Sequence, residues 1–103
     1  MLSIKANDLQ WVTAKEGVQR AVLRDHPQGG RTYLVRMAKG SAAGMHRHHA
    51  PEEVYVLEGR IEMGGQSLGK GDFAFTDAGE THDVLATEPA LLLVSTGKPL
   101  EFL

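Results

Sequence analysis

Three of the five histidines of this chain fall within residues 44–59, GMHRHHAPEEVYVLEG, together with two adjacent glutamates. His46 and His48 are two positions apart in this stretch. On a β-strand, side chains at i and i+2 lie on the same face with their Cα atoms ~7 Å apart, while the residue between them points away. The HRH spacing therefore predicts two imidazoles close enough to bind one metal ion.

Two further groups could complete such a site. Glu52 or Glu53 could supply a carboxylate oxygen from the next strand, and His82, in GETHD, could supply a third imidazole. Three imidazoles and a carboxylate suit Zn, Fe, Mn, Ni, Co or Cu(II), and they contain more nitrogen than Ca²⁺ or Mg²⁺ sites do. The sequence thus predicts a site for one divalent transition metal ion, with Fe, Zn, Mn and Ni as the candidates.

Composition limits the class of protein. The chain has 103 residues, 42% hydrophobic and 23% charged, which predicts a single globular domain over residues 1–103. It contains no cysteine, which excludes disulfides, thiolate zinc clusters and cysteine nucleophiles. A net charge of −2 gives no electrostatic reason to expect nucleic acid or an anionic membrane as a partner.

No segment has the ~20 consecutive apolar residues of a membrane span. The N-terminal MLSIKANDLQWVTAKEG also lacks the apolar core of a signal peptide. We therefore expect a cytoplasmic protein that does not bind membranes.

The elements that must position these ligands are short strands. Glycine-rich turns separate seven candidate strands, and no stretch keeps a helical period over three turns. The candidate strands are residues 17–25, 31–38, 52–59, 60–65, 72–76, 82–86 and 90–96, and residues 6–10 could form one helical turn. Strands that recur every 8–12 residues predict an all-β sandwich or barrel.

The histidines also belong to two longer patterns. Gly40 to Gly59 reads G-x5-H-x-H-x3-E-x6-G, and Gly71 to His82 reads G-x5-D-x-G-x2-H. In this order and at this separation they resemble the two motifs of the cupin superfamily. Asp77, where proline is common, and Ala86, where asparagine is common, depart from the second motif at positions that are not ligands. The resemblance implies a double-stranded antiparallel β-helix, the jelly roll, with a metal inside the barrel.

Residues 9–97 are most similar to one branch of cupins. This branch comprises the zinc cupin domain of anti-sigma factors that respond to singlet oxygen, and dioxygenases that cleave acetylacetone or dihydroxyacetophenones. In the anti-sigma cupin the carboxylate follows the second histidine by four positions, so the resemblance implies His46, His48, Glu52 and His82 as ligands. Glu53 remains the alternative carboxylate.

Other residues are expected to line the cavity around the metal. The candidates for its lining are Tyr33 or its neighbours Leu34 and Arg36, with Met45, Met63, Phe73, Phe75 and Val84. An inward Arg36 or Arg60 would pair with a substrate carboxylate or enolate, although outward arginines are more common. Strand alternation predicts that His49 and Asp83 face away from the metal, and His26 is expected at the surface.

Three functions are compatible with this pattern. The first is a metal-dependent dioxygenase that acts on a small enolisable or phenolic ketone, although acetylacetone-cleaving members have three histidines without a carboxylate. The second is a zinc-binding sensor or small-molecule-binding module, and the third is a Lewis-acid isomerase or lyase. Each implies a small-molecule partner, and no catalytic residue beyond the metal ligands is assigned. Small cupins commonly form homodimers, for which Trp11 and an outer patch at Tyr55 and Leu57 are candidates.

Overall fold

The chain folds into twelve short strands and two single-turn 3₁₀ helices. The computed structural model describes every residue from Met1 to Leu103. The strands are β1 (Trp11–Lys15), β2 (Val18–Asp25), β3 (Arg31–Met37), β4 (His46–Arg47), β5 (Glu52–Glu58), β6 (Arg60–Met63), β7 (Gln66–Gly69), β8 (Phe73–Thr76), β9 (Thr81–His82), β10 (Val84–Ala86), β11 (Ala90–Thr96) and β12 (Glu101–Phe102). The helical turns are Ala6–Asp8 and Pro27–Gly29, and neither has the length or hydropathy needed to cross a membrane.

The strands form three antiparallel sheets. The large sheet has the order β1-β2-β3-β11-β5-β8, and two smaller sheets have the orders β10-β6-β7 and β12-β4-β9. The neighbours β3, β11, β5 and β8 are distant in sequence, so the large sheet is built mainly from long-range pairings. The predicted all-β jelly roll is confirmed.

The core lies between the large sheet and the β10-β6-β7 sheet. Alternate residues of β5 and β11 are buried, as expected for strands with one face on a core. The buried cluster combines residues of both sheets: Val18, Met37, Val54, Val56, Ala90, Leu92 and Val94 from the large sheet, and Ile61, Met63, Val84 and Ala86 from the smaller one. This alternation fixes which residues of each strand face the interior.

The opposite face of the large sheet carries a continuous line of apolar side chains, which we call the outer apolar row. Direct cross-strand partners connect its six members, one from each strand: Trp11, Ala21, Leu34, Leu93, Tyr55 and Phe73. Tyr55 and Phe73 are 42% and 55% exposed, and the guanidinium of Arg36 lies 4.0 Å from the centre of the Trp11 ring. Tyr55 is therefore part of an outer apolar surface, as predicted.

The seven predicted strands are all present, but the segment 82–86 is interrupted at Asp83, which separates β9 from β10. The candidate strands did not include β1, β4, β7 or β12, although the interpretation of the HRH spacing assumed a strand where β4 lies. Three of these have four residues or fewer, and β7 is mostly polar, QSLG. Their strand pairing depends on register with neighbours rather than on a periodic pattern of their own.

Gly59, the last residue of the first motif, connects β5 to β6. Its φ of +80° is in the left-handed region, and a Cβ there would collide with the carbonyl oxygen of Pro89. Gly64, with a φ of +57°, has no atom within 4 Å of such a Cβ. We therefore expect Gly59→Ala to lower the free energy of unfolding by at least about 2 kcal/mol, from strain plus overlap.

The matched control is Gly64→Ala, which keeps the strain of a positive φ but adds no collision. Urea unfolding of both variants measures the difference. An equal loss of unfolding free energy in the two variants would contradict a collision between a Cβ atom at position 59 and the carbonyl oxygen of Pro89.

Candidate metal centre

Strands β4 and β9 bring two of the predicted ligands face to face. His46 and His82 are direct cross-strand partners in the β4–β9 pair, and their ring centroids are 4.8 Å apart. Direct partners of an antiparallel pair share one face of the sheet, so both imidazoles face the interior. The interruption at Asp83 ends β9 immediately after His82.

The other two candidate ligands come from the segment that joins β4 to β5. His48 follows β4 and is completely buried, and Glu52 is the first residue of β5, with 3% exposure. Glu52 pairs with Thr96 and Thr76, which are also buried, whereas Glu53 is exposed on the outer face. The structure thus places Glu52, and not Glu53, beside the histidines.

One potential ligand atom from each of His46, His48, Glu52 and His82 lies within 4.8 Å of those of the other three. Two ligand atoms bound to one ion with bonds of ~2.0–2.2 Å are at most ~4.4 Å apart, so small shifts of these side chains bring all four within bonding distance of one ion. All four residues are buried. The four candidates therefore form one compact cluster inside the barrel.

Backbone carbonyls orient two of the imidazoles. The Nδ1–H of His46 donates to the carbonyl oxygen of Gly44 (2.7 Å), and the Nδ1–H of His48 donates to that of Glu80 (3.0 Å). Because a carbonyl can only accept, each ring carries a proton on Nδ1, so Nε2 is the nitrogen that can bind a metal, and in His48 it contacts Oε1 of Glu52 (3.1 Å). This is the arrangement by which proteins orient metal-binding histidines.

His82 shows directly that the cluster is incomplete without a further partner. Its Nε2 atom is buried and has no hydrogen-bond partner, the only such side-chain atom in the protein. Buried polar atoms are rarely left unpaired, because the loss of hydration is then uncompensated. Burial, together with the nearby His48 and His46, lowers the pKa of His82 to about 4, so that its ring is neutral at pH 7. A neutral imidazole is the form that binds metals, and the residues present therefore fit a metal ion.

Glu52 is in an unusual environment for a carboxylate. Burial raises the pKa of Glu52, although the neighbouring His48 and His46 partly oppose that rise. Its Oε1 atom lies 3.1 Å from the Nε2 atom of His48. A cation among these atoms would favour the ionised carboxylate, so metal binding is expected to be coupled to the protonation of Glu52.

Asp83 supports the site through the backbone. Its Oδ1 atom accepts hydrogen bonds from the backbone N–H of Gly44 (2.8 Å) and of Val84 (2.7 Å). Gly44 in turn supplies the carbonyl that orients His46. Sequence alternation correctly pointed Asp83 away from the metal, but it gave no signal of this contact with a residue far away in the chain.

A cavity of about 880 Å³ borders the cluster at His46 and Glu52. Its lining is mainly apolar and includes Val35, Val54, Val84, Leu92 and Val94, with Met45, Phe102 and Leu103 from the segments opposite the large sheet. Tyr33 also lines it, and burial and the charge of Glu52 raise the pKa of its hydroxyl, which stays protonated. Two candidate ligands thus face open space rather than packed protein.

The predicted lining is partly confirmed. Tyr33, Met45 and Val84 line the cavity, whereas Met63 belongs to the packed core. The prediction is wrong for Phe73 and Phe75, which are 55% and 54% exposed. Residues Ala74 and Thr76 of β8 pair with the inward-facing Val54 and Glu52, so the two phenylalanines face outward.

Neither Arg36 nor Arg60 reaches the cavity, which agrees with the outward orientation that is more common for arginines. Arg36 is bound on the outer face by Gln19 (2.8 Å) and Trp11, and Arg60 donates to Ser67 (3.1 Å). Leu34 is likewise on the outer face. The arginines that do line the cavity, Arg20 and Arg31, were missed.

The remaining histidines lie outside the cluster. His49 has a half-exposed side chain whose Nε2 atom lies 3.4 Å from Glu101, in agreement with its predicted outward position. His26 shares a hydrogen bond of 2.6 Å with Thr32 and is only partly exposed.

A jelly roll with three histidines and a glutamate facing the interior defines a cupin. In agreement, the model of the ChrR cupin-like domain family matches residues 1–100. The chain belongs to this family.

Two relatives match only part of their own length. A chain in the structure of Rhodobacter sphaeroides SigE in complex with the anti-sigma ChrR is similar with a TM-score of 0.79 and 26% identity, over 89% of this chain and 50% of that one. The oxalate-binding protein of Thermotoga maritima is 33% identical over 55 residues, which are 48% of this chain and 46% of that protein. The chain therefore spans about half the length of either relative.

An acetylacetone dioxygenase from Acinetobacter johnsonii is similar over the whole chain. Its TM-score is 0.87 with 20% identity, and the match covers 76% of that protein. At this identity the likeness supports the cupin fold alone.

Proposed function

We propose that this chain is a metal-dependent cupin of the dioxygenase type that acts on a small enolisable or phenolic ketone. In this proposal His46, His48, Glu52 and His82 hold one divalent transition metal ion. The supporting observation is that the cluster lies at the wall of the 880 Å³ cavity, because oxygenase chemistry requires metal positions that the protein leaves open. An Fe(II) ion there would supply redox chemistry with dioxygen and would polarise a ketone oxygen.

The cavity residues have separate tasks in this proposal. The apolar side chains of Val54, Leu92 and Val94 exclude water from the space beside the cluster. The Tyr33 hydroxyl, which its raised pKa keeps protonated, donates a hydrogen bond to an oxygen of the ketone or its enolate. The substrate class proposed is the one named for the Acinetobacter acetylacetone dioxygenase, whose fold this chain shares.

The family membership supports a second candidate, a zinc-binding module that binds a small molecule without turnover. The ChrR cupin-like match covers residues 1–100, and the chain from the SigE–ChrR complex has a higher identity than the dioxygenase. The same four residues would hold zinc, and the cavity would hold the ligand.

We also propose that a second copy of the chain covers the outer apolar row, which would otherwise expose Tyr55 and Phe73 to water. Light scattering of the purified protein would then give twice the mass of one chain. A monomeric mass at micromolar concentration would contradict the homodimer.

Metal content and oxygen uptake test the main proposal. We expect one metal ion per chain in protein purified without added metal or chelator. After anaerobic loading with Fe(II), acetylacetone or a hydroxyacetophenone is expected to cause oxygen consumption, with the His49→Ala variant as a control that keeps both properties.

The other outcomes separate the alternatives. Tightly held zinc with ligand binding but no oxygen uptake would favour the zinc module. Isomerisation or cleavage of the ketone without oxygen, supported by several divalent metals, would favour the Lewis-acid enzyme. Absence of metal even after reloading would contradict every one of these functions.

A further inference from the structure

Three cations line the cavity that borders the cluster. They are Lys15 on β1, Arg20 on β2 and Arg31 on β3, and Glu52 is the only acidic residue in the lining. When a metal ion binds Glu52, its negative charge is neutralised, so positive charge alone then remains among the ionisable side chains of the lining. Such a concentration of one sign of charge in a concave surface attracts an ion of the opposite sign.

Strand register gives the distance between the cations and the cluster. Arg31, Thr96 and Glu52 are direct partners on three adjacent strands, β3, β11 and β5. With strands ~4.8 Å apart, the Cα atoms of Arg31 and Glu52 are separated by about 10 Å across the floor of the cavity. A molecule with the length of a substituted benzene ring could reach from the cluster toward Arg31.

Lys15 approaches the cluster from the opposite side. Its Nζ atom lies 3.7 Å from the position that a Cβ atom on Gly44 would occupy. Gly44 is the residue whose carbonyl oxygen orients His46. The ammonium group is therefore close to the mouth of the cavity beside the cluster.

These cations are incompletely paired within the chain. Lys15 and Arg20 take part in none of its five ion pairs, and Arg31 contacts Asp25 only through Nε (2.9 Å). Its terminal nitrogens remain available as donors. Arg36, on the outer face of the same sheet, is instead bound by Gln19 and by the ring of Trp11.

We propose that the cavity binds a small molecule with a carboxylate group, which is held by Lys15, Arg20 and Arg31 while the other end of the molecule faces the cluster. This inference rests on the proposed function for the end at the metal, and it narrows the substrate class to ketones that are also acids. Arginine and lysine hold carboxylates through charge-assisted hydrogen bonds. Lys15 and Arg20 are exposed and the Arg31 side chain is 43% exposed, so all three are accessible to a carboxylate that enters from solvent.

A pair of isosteric ketones tests the inference. 4-Acetylbenzoate and 4-acetylbenzamide differ mainly in charge, and their affinities for the zinc-loaded chain can be measured by calorimetry. We expect the acid to bind at least about tenfold more tightly than the amide, because its carboxylate gains one or two charge-assisted hydrogen bonds. In the Lys15→Met/Arg20→Met double variant the preference should fall below about threefold, and in the Arg36→Met control it should stay as in the wild type.

Three results would overturn the inference. Equal affinities of the acid and the amide for the metal-loaded wild type would do so, and so would an unchanged preference in the double variant, because Lys15 and Arg20 would then contribute nothing to holding the carboxylate. Tighter binding of 4-acetylphenyl phosphate than of 4-acetylbenzoate would contradict the assignment of a carboxylate.

Failure of the proposed function would look different. The wild-type chain would then hold no metal, or would hold metal without consuming oxygen, both of which are measured independently, while it would still prefer the acid to the amide. If this inference fails, a chain that does hold metal binds the acid and the amide with equal affinity.

Discussion

Replacement of His48 with alanine is expected to lower the affinity for metal by more than ~100-fold, and to leave less than a tenth of the wild-type metal content. Loss of residues that only orient a ligand already costs 10- to 100-fold, so the loss of a ligand should cost more. His48 is fully buried between the carbonyl of Glu80 and the carboxylate of Glu52. Elemental analysis of the purified variant measures the metal content.

The matched control is His26→Ala. His26 bonds only to Thr32, outside the cluster, so this variant should bind metal as the wild type does. Circular dichroism must confirm that His48→Ala is folded, because truncation also leaves a void and an unpaired Glu52. If His48→Ala is not folded, the measurement uses His48→Gln, which fills more of the void. Equal metal contents in folded His48 and His26 variants would overturn the ligand assignment.

Replacement of His82 with phenylalanine is expected to abolish metal binding and, in the metal-free protein at pH 7, to raise the free energy of unfolding by about 1 kcal/mol. The gain arises because the variant removes a buried nitrogen with no hydrogen-bond partner and keeps a ring of similar size. Zinc at 100 times its Kd should stabilise the wild type by about 2.7 kcal/mol but should not stabilise the variant. Urea unfolding with and without zinc measures both effects.

The stability advantage of His82→Phe over the metal-free wild type should increase at acidic pH. Because the folded-state pKa of His82 is lowered to about 4 from 6.5, the unfolded chain binds more protons there between these pH values. The metal-free wild type therefore loses stability as the pH falls from about 6.5 to 4, by about 1 to 2 kcal/mol after allowance for solvent screening, and the variant lacks this loss. The raised pKa of Glu52 acts in the opposite direction in both proteins, so it does not affect their difference.

The exposed His49 provides the control for this pair of measurements. His49→Phe should keep the zinc stabilisation and the pH dependence of the wild type. A His82→Phe protein that is less stable than the wild type by more than about 2 kcal/mol would contradict the account, since the ring nitrogen would then have been satisfied in the native state.

Spacing predicted an all-β sandwich or barrel and the candidate ligands, and the resemblance to cupins narrowed the fold to a jelly roll. The HRH pattern, the GETHD turn and the glycine at position 59 are local features, and the structure brings His46, His48 and His82 together. The choice between Glu52 and Glu53 depended on resemblance, because spacing alone allowed either. The register of β5 with β11 places Glu52 inside and Glu53 outside.

The features that were missed depend on contacts between distant parts of the chain. The direction of Phe73 and Phe75 is set by which residues of β8 oppose β5, and a one-residue shift of register exchanges the two faces. Arg20 was missed because strand parity could not be assigned before the partner strand was known. The support of His46 by Asp83 passes through Gly44, 39 residues away, and leaves no local pattern.

The candidate site is assembled by residues that are far apart in the chain. His46 opposes His82, and the bond that orients His48 joins residues separated by 32 positions. Chain closure over such separations is slow and comes late in folding. An ion captured only after closure leaves the folding rate unchanged and slows unfolding. The ion can leave through the cavity, but its ligands are held in place by these paired strands, so the residence time of the metal is expected to be long compared with that at a site on a single loop.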